Sequence, residues 1–562
     1  MKIRNDIYRD ILFLFLLSAL MMARQLLSRA YFSAFIEDTF TYTSWASQFA
    51  DSFKEGVLYP RWTPLNFWGY GSPTFILYPP LAFYLVTLFN ILTGSIIISM
   101  NMAKFAALFF SGLGMFFLVR EFYSERIALL SSSFYVIFPF NILQMYLLGT
   151  FSSTVSLMWF SPILLFIYRY INNGQRKHVI YAGVCYGGLI LTHLINAYMF
   201  TFVMGLFTIF MLFQMKRWRA LLAFPYAISV GVLVSAAYIF PVEHEMKFLD
   251  LKSFVGEGGG FKFSDFFVLP DLTSKLPSDH YWPVYYGTIV FYVFFLCLLM
   301  VFFLLQLLRL RLMIDKRHAY AVGFFFLAMS AGTIFLLFGI STVVWRTIPF
   351  FEYIQFPTRW LNVTVFGIVF LSSACFYVLS EFYKPGKRNY LISILLFLVC
   401  LLLDFRYIGC GPVFPEQKLM PVKAVNYATE HLPSMVDLSR IERNVGEEDR
   451  VSISNVKGKA QVVSWESAER IIEATADTPV VLRIKTFNFP GWTAHIDGKK
   501  TQIKTEEGTG AILVDVPKGA HTVELAFVDT PVRFYSKIIS LLSLLALVSL
   551  VIFFNWKGEK AR

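Results

Sequence analysis

Two adjacent acids, Glu37 and Asp38, stand just beyond the first hydrophobic run, after the aromatic stretch Arg29-Ala-Tyr-Phe-Ser-Ala-Phe-Ile. Charge at the mouth of a membrane helix bundle is costly, so an acid there points to chemistry or ion binding. A carboxylate there can serve as a base for an attacking hydroxyl, or hold a divalent cation such as Mg or Mn. Asp38, with Glu37 beside it, could do either. The plainer alternative is a solvated loop acid, or one salt-bridged to Arg24 or Arg29.

Cations and polar groups follow the same pattern. Arg61 sits in Tyr59-Pro-Arg-Trp62, and Arg359 in Gln355-Phe-Pro-Thr-Arg-Trp360. A departing lipid phosphate needs a fixed cation, and guanidinium offers a bidentate fork. Arg beside Trp at a span end is also a common interfacial anchor. His193, in Leu191-Thr-His-Leu-Ile-Asn-Ala197, could bond a phosphate or a substrate hydroxyl, or fill a core position. Glu243-His244-Glu245 adds candidate metal ligands to Asp38, although two acids flanking one histidine is sparse metal spacing. The polar, Gly-rich segment 254–284 could cap a site or be an ordinary loop.

The elements that position these groups are membrane helices. The 562 residues are 57% hydrophobic and 15% charged, against about 25% charged in soluble domains. Apolar runs near 20 residues predict an all-α polytopic bundle of 12–13 hydrophobic helices. Spans are expected near 10–28, 101–119, 127–147, 153–170, 179–196, 198–215, 220–241, 285–307, 320–340, 362–383, 390–406 and 534–555. The first follows Met1-Lys-Ile-Arg without a small-residue cleavage site, and is expected to be uncleaved. The net charge of +12 does not argue for nucleic acid, because Lys and Arg cluster in short loops between apolar runs. By the positive-inside rule those loops and both termini are cytoplasmic, in a multi-pass plasma-membrane protein. The loops 29–72, 242–284 and 341–361 then face outward. A further apolar segment, 73–93, would break this parity if it spanned. With Pro79-Pro80 inside it and no basic flank, it is expected to be re-entrant or to lie along the outer surface.

Beyond the transmembrane domain, 1–406, charge rises and apolar runs shorten. Met420–Leu432 reads as a helix. From Arg450 onward, alternation such as Val480, Leu482 and Ile484 against Val481, Arg483 and Lys485 predicts strands. Asp497-Gly498 and Pro517-Lys-Gly519 are turn signals. Residues 407–530 are therefore expected to form a small extracytoplasmic domain, mainly a β-sandwich, ahead of a final span and basic tail in 531–562. Phe489-Pro-Gly-Trp492 reads as turn and core. Four of the five cysteines lie in apolar runs and Cys410 just past one, with no metal spacing. No Walker loop or Rossmann fingerprint supports a nucleotide-sugar donor.

An acid after the first span, a long outer loop and Leu77-Tyr78-Pro-Pro-Leu81 opening the next apolar segment resemble the GT-C superfamily of integral membrane glycosyltransferases. Ala34–Leu85, Thr192-His193 and Gln355-Phe-Pro-Thr-Arg359 more closely resemble the prokaryotic membrane family labelled 6-pyruvoyl-tetrahydropterin synthase-related. The C-terminal β region and return to a span at Phe534 resemble YfhO-type proteins. The resemblance implies a polyprenyl-phosphate-linked sugar donor, an extracytoplasmic acceptor and a bilayer as partners, without nucleic acid. It implies Asp38 as the catalytic acid with Glu37 adjacent, and Arg359 for the donor phosphate. Arg61, His193, Gln355 and Tyr78 join it as substrate-binding candidates. Thr358 stands where an aromatic residue is expected in the Gln-Phe-Pro block. The pterin-synthase label implies a zinc-binding histidine triad, whereas the eight histidines are scattered along the chain. Rival readings are a lipid or glycan transporter or flippase and a non-catalytic envelope-assembly scaffold. Notable charges at one face, rather than paired halves with broken mid-membrane helices, favour an enzyme.

Overall fold

A computed structural model describes residues 2–33, 36–250, 262–267, 317–382, 413–415, 428–444, 446–454 and 458–560, with pieces of 290–308 and 398–408. Seven helices among the described residues are long and apolar enough to cross a membrane, or nine if two bent pairs each count as one span. Together with the 17-residue Arg176–Thr192, they match the expected spans except 285–307 and 390–406. Those two lie largely outside the described residues, as do most of the 254–284 segment, most of Met420–Leu432 and Cys410.

Three expected spans are not straight. The 127–147 span breaks where Pro139 starts a new helix, Pro139–Leu143, after Glu125–Val136. Asn141 Nδ2 donates to the freed Tyr135 carbonyl at 2.7 Å, which satisfies the group the break exposes. A π-turn, Gln144–Leu148, follows and ends on Gly149. The 220–241 span turns by 80° at Ser235, and the 320–340 span by 95° after Phe335.

The outer loop 29–72 contains an element absent from the sequence reading, the 19-residue helix Ile36–Lys54. Its mixed polar composition hides it from an apolar-run search. Thr39, Thr43, Ser44, Gln48 and Ser52 are nevertheless buried, because the helix is enclosed by protein rather than lipid. Glu37 and Asp38 fall in its first turn, where helix N–H groups favour negative charge.

Segment 73–93 holds Thr74–Leu77 and the 13-residue helix Leu81–Thr93. At about 1.5 Å per residue, 13 residues reach about 20 Å, short of a hydrocarbon core of about 30 Å. Gly94 reverses the chain with φ +66°, and Ile96–Arg120 begins at once. Asn101 Nδ2 then donates to Ala30 O at 3.1 Å, which sets the start of that span level with the end of the first one. Leu81–Thr93 is therefore too short to cross by itself, and the span that follows it starts level with the end of the first.

The opposite end gathers the basic loops. Arg169 pairs with Glu121 at 2.6 Å, Arg217 Nη1 donates to Ile171 O at 3.2 Å, and Lys177 reaches Asn555 at 3.2 Å.

The β domain is two packed antiparallel sheets. One runs in the order Val451–Ile453, Val480–Phe487, Ala511–Val516, Ile503–Thr505; the other Gly458–Trp465, Glu469–Ala476, Gly519–Phe527, Trp492–Ile496, Lys499–Thr501. Leu482, Ile484, Val514, Ile472, Val523 and Leu525 fill the space between them. Asp497 and Gly498, both at positive φ, make the predicted hairpin turn. The outer loop packs onto this sandwich. Tyr70 stacks on Phe487 with centroids 4.9 Å apart, and Trp62 meets Trp492 edge-on at 5.4 Å. A short ladder, Ala30–Phe32 with Val413–Pro415, ties the first span to the domain entry.

Candidate active site

Asp38 is half-buried in the first turn of Ile36–Lys54. The turn at Gly149 closes over it. A Cβ on Gly149 would lie 2.3 Å from Ser33 Oγ and 3.8 Å from Asp38 Cβ, and the residue has φ +68°. Only glycine fits a left-handed position approached so closely. Tyr31 OH donates to the Gly149 carbonyl at 3.4 Å from below. Lys104 Nζ lies 3.8 Å from the Tyr31 ring centroid and donates to Met145 O at 3.0 Å. A buried amine thus underlies the acid's side of the site.

Arg359 arrives from much later in the sequence, on the turn Pro357–Trp360 that opens the span Leu361–Phe382. Its Nη1 donates to Ile354 O at 2.7 Å and Gln355 Oε1 at 3.2 Å, and the guanidinium lies over the Phe356 ring at 5.0 Å. Gln355 is held at φ +62°, a strained conformation for a non-glycine residue that aims its amide at the guanidinium.

Asp38 and Arg359 share their neighbours. Tyr42 OH and Tyr78 OH are 2.8 Å apart, and both phenols feel the charges of Asp38 and Arg359. Burial pushes the Tyr78 hydroxyl up to about 12, against hydrogen bonds with Tyr42 and Ser152 and the pull of Arg359, with the Asp38 charge a smaller upward push. Both phenols stay neutral and can donate hydrogen bonds.

His193 caps the span Leu194–Met215, its Nδ1 accepting from Asn196 N at 3.1 Å. A neutral ring bonded this way carries its proton on Nε2, and Arg359's charge acts on that ring. Asn196 Nδ2 and Asn362 Nδ2 both reach Ser153 Oγ, at 3.0 and 3.3 Å. This hub locks the His193 and Arg359 spans together beside the Phe151–Ser156 turn.

One further acid belongs here. Glu430 lies on the turn Thr429–His431 at the entry of the outer domain. Its Oε2 is buried without a hydrogen-bond partner among the described residues. Burial, and after it the Asp38 charge, pushes the carboxyl up to about 7, with Arg359 opposing. The turn is fixed by His431, stacked on Trp45 at 5.0 Å, and by the pairing of Asp250 N with Leu432 O at 3.2 Å. No sequence spacing links Glu430 to Asp38; only the fold brings them together.

Of the expected site residues, Asp38, Tyr78, His193, Gln355 and Arg359 converge. Glu37 shares the first turn of the Asp38 helix, and its side chain lies outside the described residues. Arg61 does not join them: it is buried at the joint between bundle and sandwich, 3.7 Å from Asp529. The Glu243-His244-Glu245 ligand set also comes apart. Glu243 and His244 are exposed, whereas Glu245 faces inward with both oxygens on Arg533, at 2.9 and 2.7 Å. The helical turn splits them, so this set does not fit a metal together with Asp38. Among the described residues, no three His, Cys, Asp or Glu side chains cluster as a metal site.

A family model described as "6-pyruvoyl-tetrahydropterin synthase related domain; membrane protein" matches residues 75–408. No curated protein matches the chain. Among solved structures it is similar to the archaeal oligosaccharyltransferase AglB from Archaeoglobus fulgidus, in complex with an inhibitory peptide and a dolichol-phosphate. That similarity has a TM-score of 0.42 and 11% identity, covering 75% of this chain and 56% of that one. The apo form of the Archaeoglobus fulgidus oligosaccharyltransferase gives 0.41 and 13%, covering 76% and 57%. The chain thus spans little more than half the length of these structures.

Proposed function

We propose that this chain, which belongs to the membrane-protein family described as 6-pyruvoyl-tetrahydropterin synthase related, is a GT-C-type glycosyltransferase. It moves a sugar from a polyprenyl-phosphate donor to an acceptor hydroxyl on a cell-surface glycan, lipid or protein. The observation that carries this reading is the convergence of Asp38 and Arg359 around Tyr42, Tyr78 and Glu430, at the bundle end opposite the basic loops. By the positive-inside rule that end is extracytoplasmic, and both chain termini are cytoplasmic.

The acceptor oxygen attacks the anomeric carbon, and its proton passes to Asp38. The bond from that carbon to the phosphate oxygen breaks, and the electron pair leaves with the lipid phosphate. A single displacement of this kind inverts the anomeric centre. Arg359, held by Ile354 O and Gln355, faces the departing phosphate, with His193 Nε2–H and the Tyr78 hydroxyl as further donors. Preorganised donors of this type are worth about 10²–10³ in rate each, and a placed base about 10²–10⁴.

The test is mass spectrometry of surface glycans, glycolipids and glycoproteins in a deletion strain complemented with wild type or Asp38→Asn. Loss of one sugar, restored by wild type alone, is expected. An unchanged profile overturns the reading in favour of transport or scaffolding.

A further inference from the structure

Arg61, separated from the Asp38 site, lines a cavity of about 180 Å³. The walls are the loop Val57–Trp62, the Ser467–Ala468 turn and Phe527 of the sandwich, and Asp529 and Lys537 at the foot of the final helix. Arg61's side chain is 3% exposed. Its Nη2 donates to Ala237 O at 3.2 Å, and its face lies 3.8 Å from the Tyr59 ring centroid. Nε and Nη1 are buried without a well-formed hydrogen bond among the described residues, with the Tyr59 hydroxyl and Asp529 Oδ1 the acceptors nearest the guanidinium. Buried guanidinium N–H groups without a well-aligned acceptor are costly, and a small shift of the side chain toward the cavity would let an entering acceptor satisfy them.

Asp529 does not supply that acceptor. Its Oδ1 stops 3.7 Å from Arg61 Nε, while its Oδ2 pairs with Lys537 Nζ at 2.5 Å. One carboxylate therefore serves two cations. Glu55, the next acid, is engaged by Ser467 N at 2.9 Å and by the Ser467 hydroxyl, and Glu245 is held by Arg533.

The setting is that of a lipid headgroup. Only 6% of the final span's apolar window is buried inside the protein. Leu541, one turn beyond Lys537, is 58% exposed, and Leu58, on the other wall, is 76% exposed. Acyl chains would lie along this helix while a headgroup turned into the cavity.

We infer that this cavity binds the phosphate ester of a membrane lipid, its oxygens accepting from Arg61 Nε and Nη1 and from Lys537. This lipid is distinct from the sugar donor. It joins the outer loop, the sandwich and the final helix, and so seats the β domain on the bilayer.

The test uses the full-length protein in detergent, with retained lipid read by native mass spectrometry and thermal unfolding by fluorescence. Phosphatidylglycerol is the probe, with diacylglycerol and inorganic phosphate as controls. Retention of phosphatidylglycerol with a raised midpoint, and no effect of diacylglycerol, is expected. Lys537→Gln is expected to weaken retention about tenfold, the scale of one charge-assisted hydrogen bond, and Asp529→Asn, which removes the competing acid, to strengthen it. An equal shift with inorganic phosphate alone overturns the lipid assignment. Retention indifferent to both substitutions overturns the site. Neither readout involves sugar transfer, so failure here leaves the Asp38 reading untouched.

Discussion

Glu245 and Arg533 form a fully buried bidentate ion pair, with Nη2 to Oε2 at 2.7 Å and side chains 1% and 0% exposed. Arg533 Nη2 also donates to Pro490 O at 2.6 Å, and Thr530 to Glu245 Oε1 at 2.9 Å. The pair joins the helix Ala236–Glu245, the sandwich and the final span. Removing one partner strands a buried charge, which costs about 3–5 kcal/mol. Arg533→Met is therefore expected to lower stability by that amount in denaturant unfolding, and Glu245→Leu/Arg533→Met to recover most of the loss. A double variant no better than the single one would contradict this account.

Arg359→Lys is expected to lower the transfer rate about 10²-fold although the charge is kept. Lysine cannot reproduce the fork that bonds Ile354 O and Gln355 while facing a phosphate. Single-turnover kinetics with a polyprenyl-phosphate sugar check this; a rate within a few-fold of wild type counts against it.

Gly149→Ala is expected to cost about 1–2 kcal/mol for the left-handed backbone alone. It should also push Ser33 off its position, 2.3 Å from the new Cβ, and misplace Asp38. Activity should fall more than thermal stability does. Equal losses would make Gly149 a fold residue only.

Glu430 gives a pH signature. Its folded-state carboxyl, pushed up to about 7 by burial from an ordinary 4.5, keeps its proton where the unfolded chain has lost it. The folded state then binds more protons between about 4.5 and about 7, so stability falls as pH rises through that window. Glu430→Gln is expected to flatten this slope in thermal midpoints measured across it, and an unchanged slope would remove the assignment.

Single cysteines placed between 94 and 100 should react with an impermeant reagent from the same side as a cysteine at Leu58. Labelling from the opposite side would mean that 73–93 spans after all.

The sequence by itself determined the membrane class, the apolar spans, the segregation of basic loops and the alternation of the sandwich strands. Each is a local property: a run, a period or a turn dipeptide carries its signal within about 20 residues. Asp38, Arg359 and His193 stand out as candidates in the sequence because charge and imidazole at span ends are rare and costly. The tertiary structure decided the rest. Helix Ile36–Lys54 has no apolar run because protein, not lipid, surrounds it. Arg61 and Arg359 look alike in their Pro-Arg-Trp and Pro-Thr-Arg-Trp settings, yet one meets Asp529 and the other shares Tyr42 and Tyr78 with Asp38. Glu245 gave up its place beside His244 to a residue near the chain's end, Arg533. Glu430, with no motif around it, is placed near Asp38 by a stacked histidine and the Asp250–Leu432 backbone bond. These pairings join positions hundreds of residues apart, so their energies exist only once the bundle and the sandwich have packed.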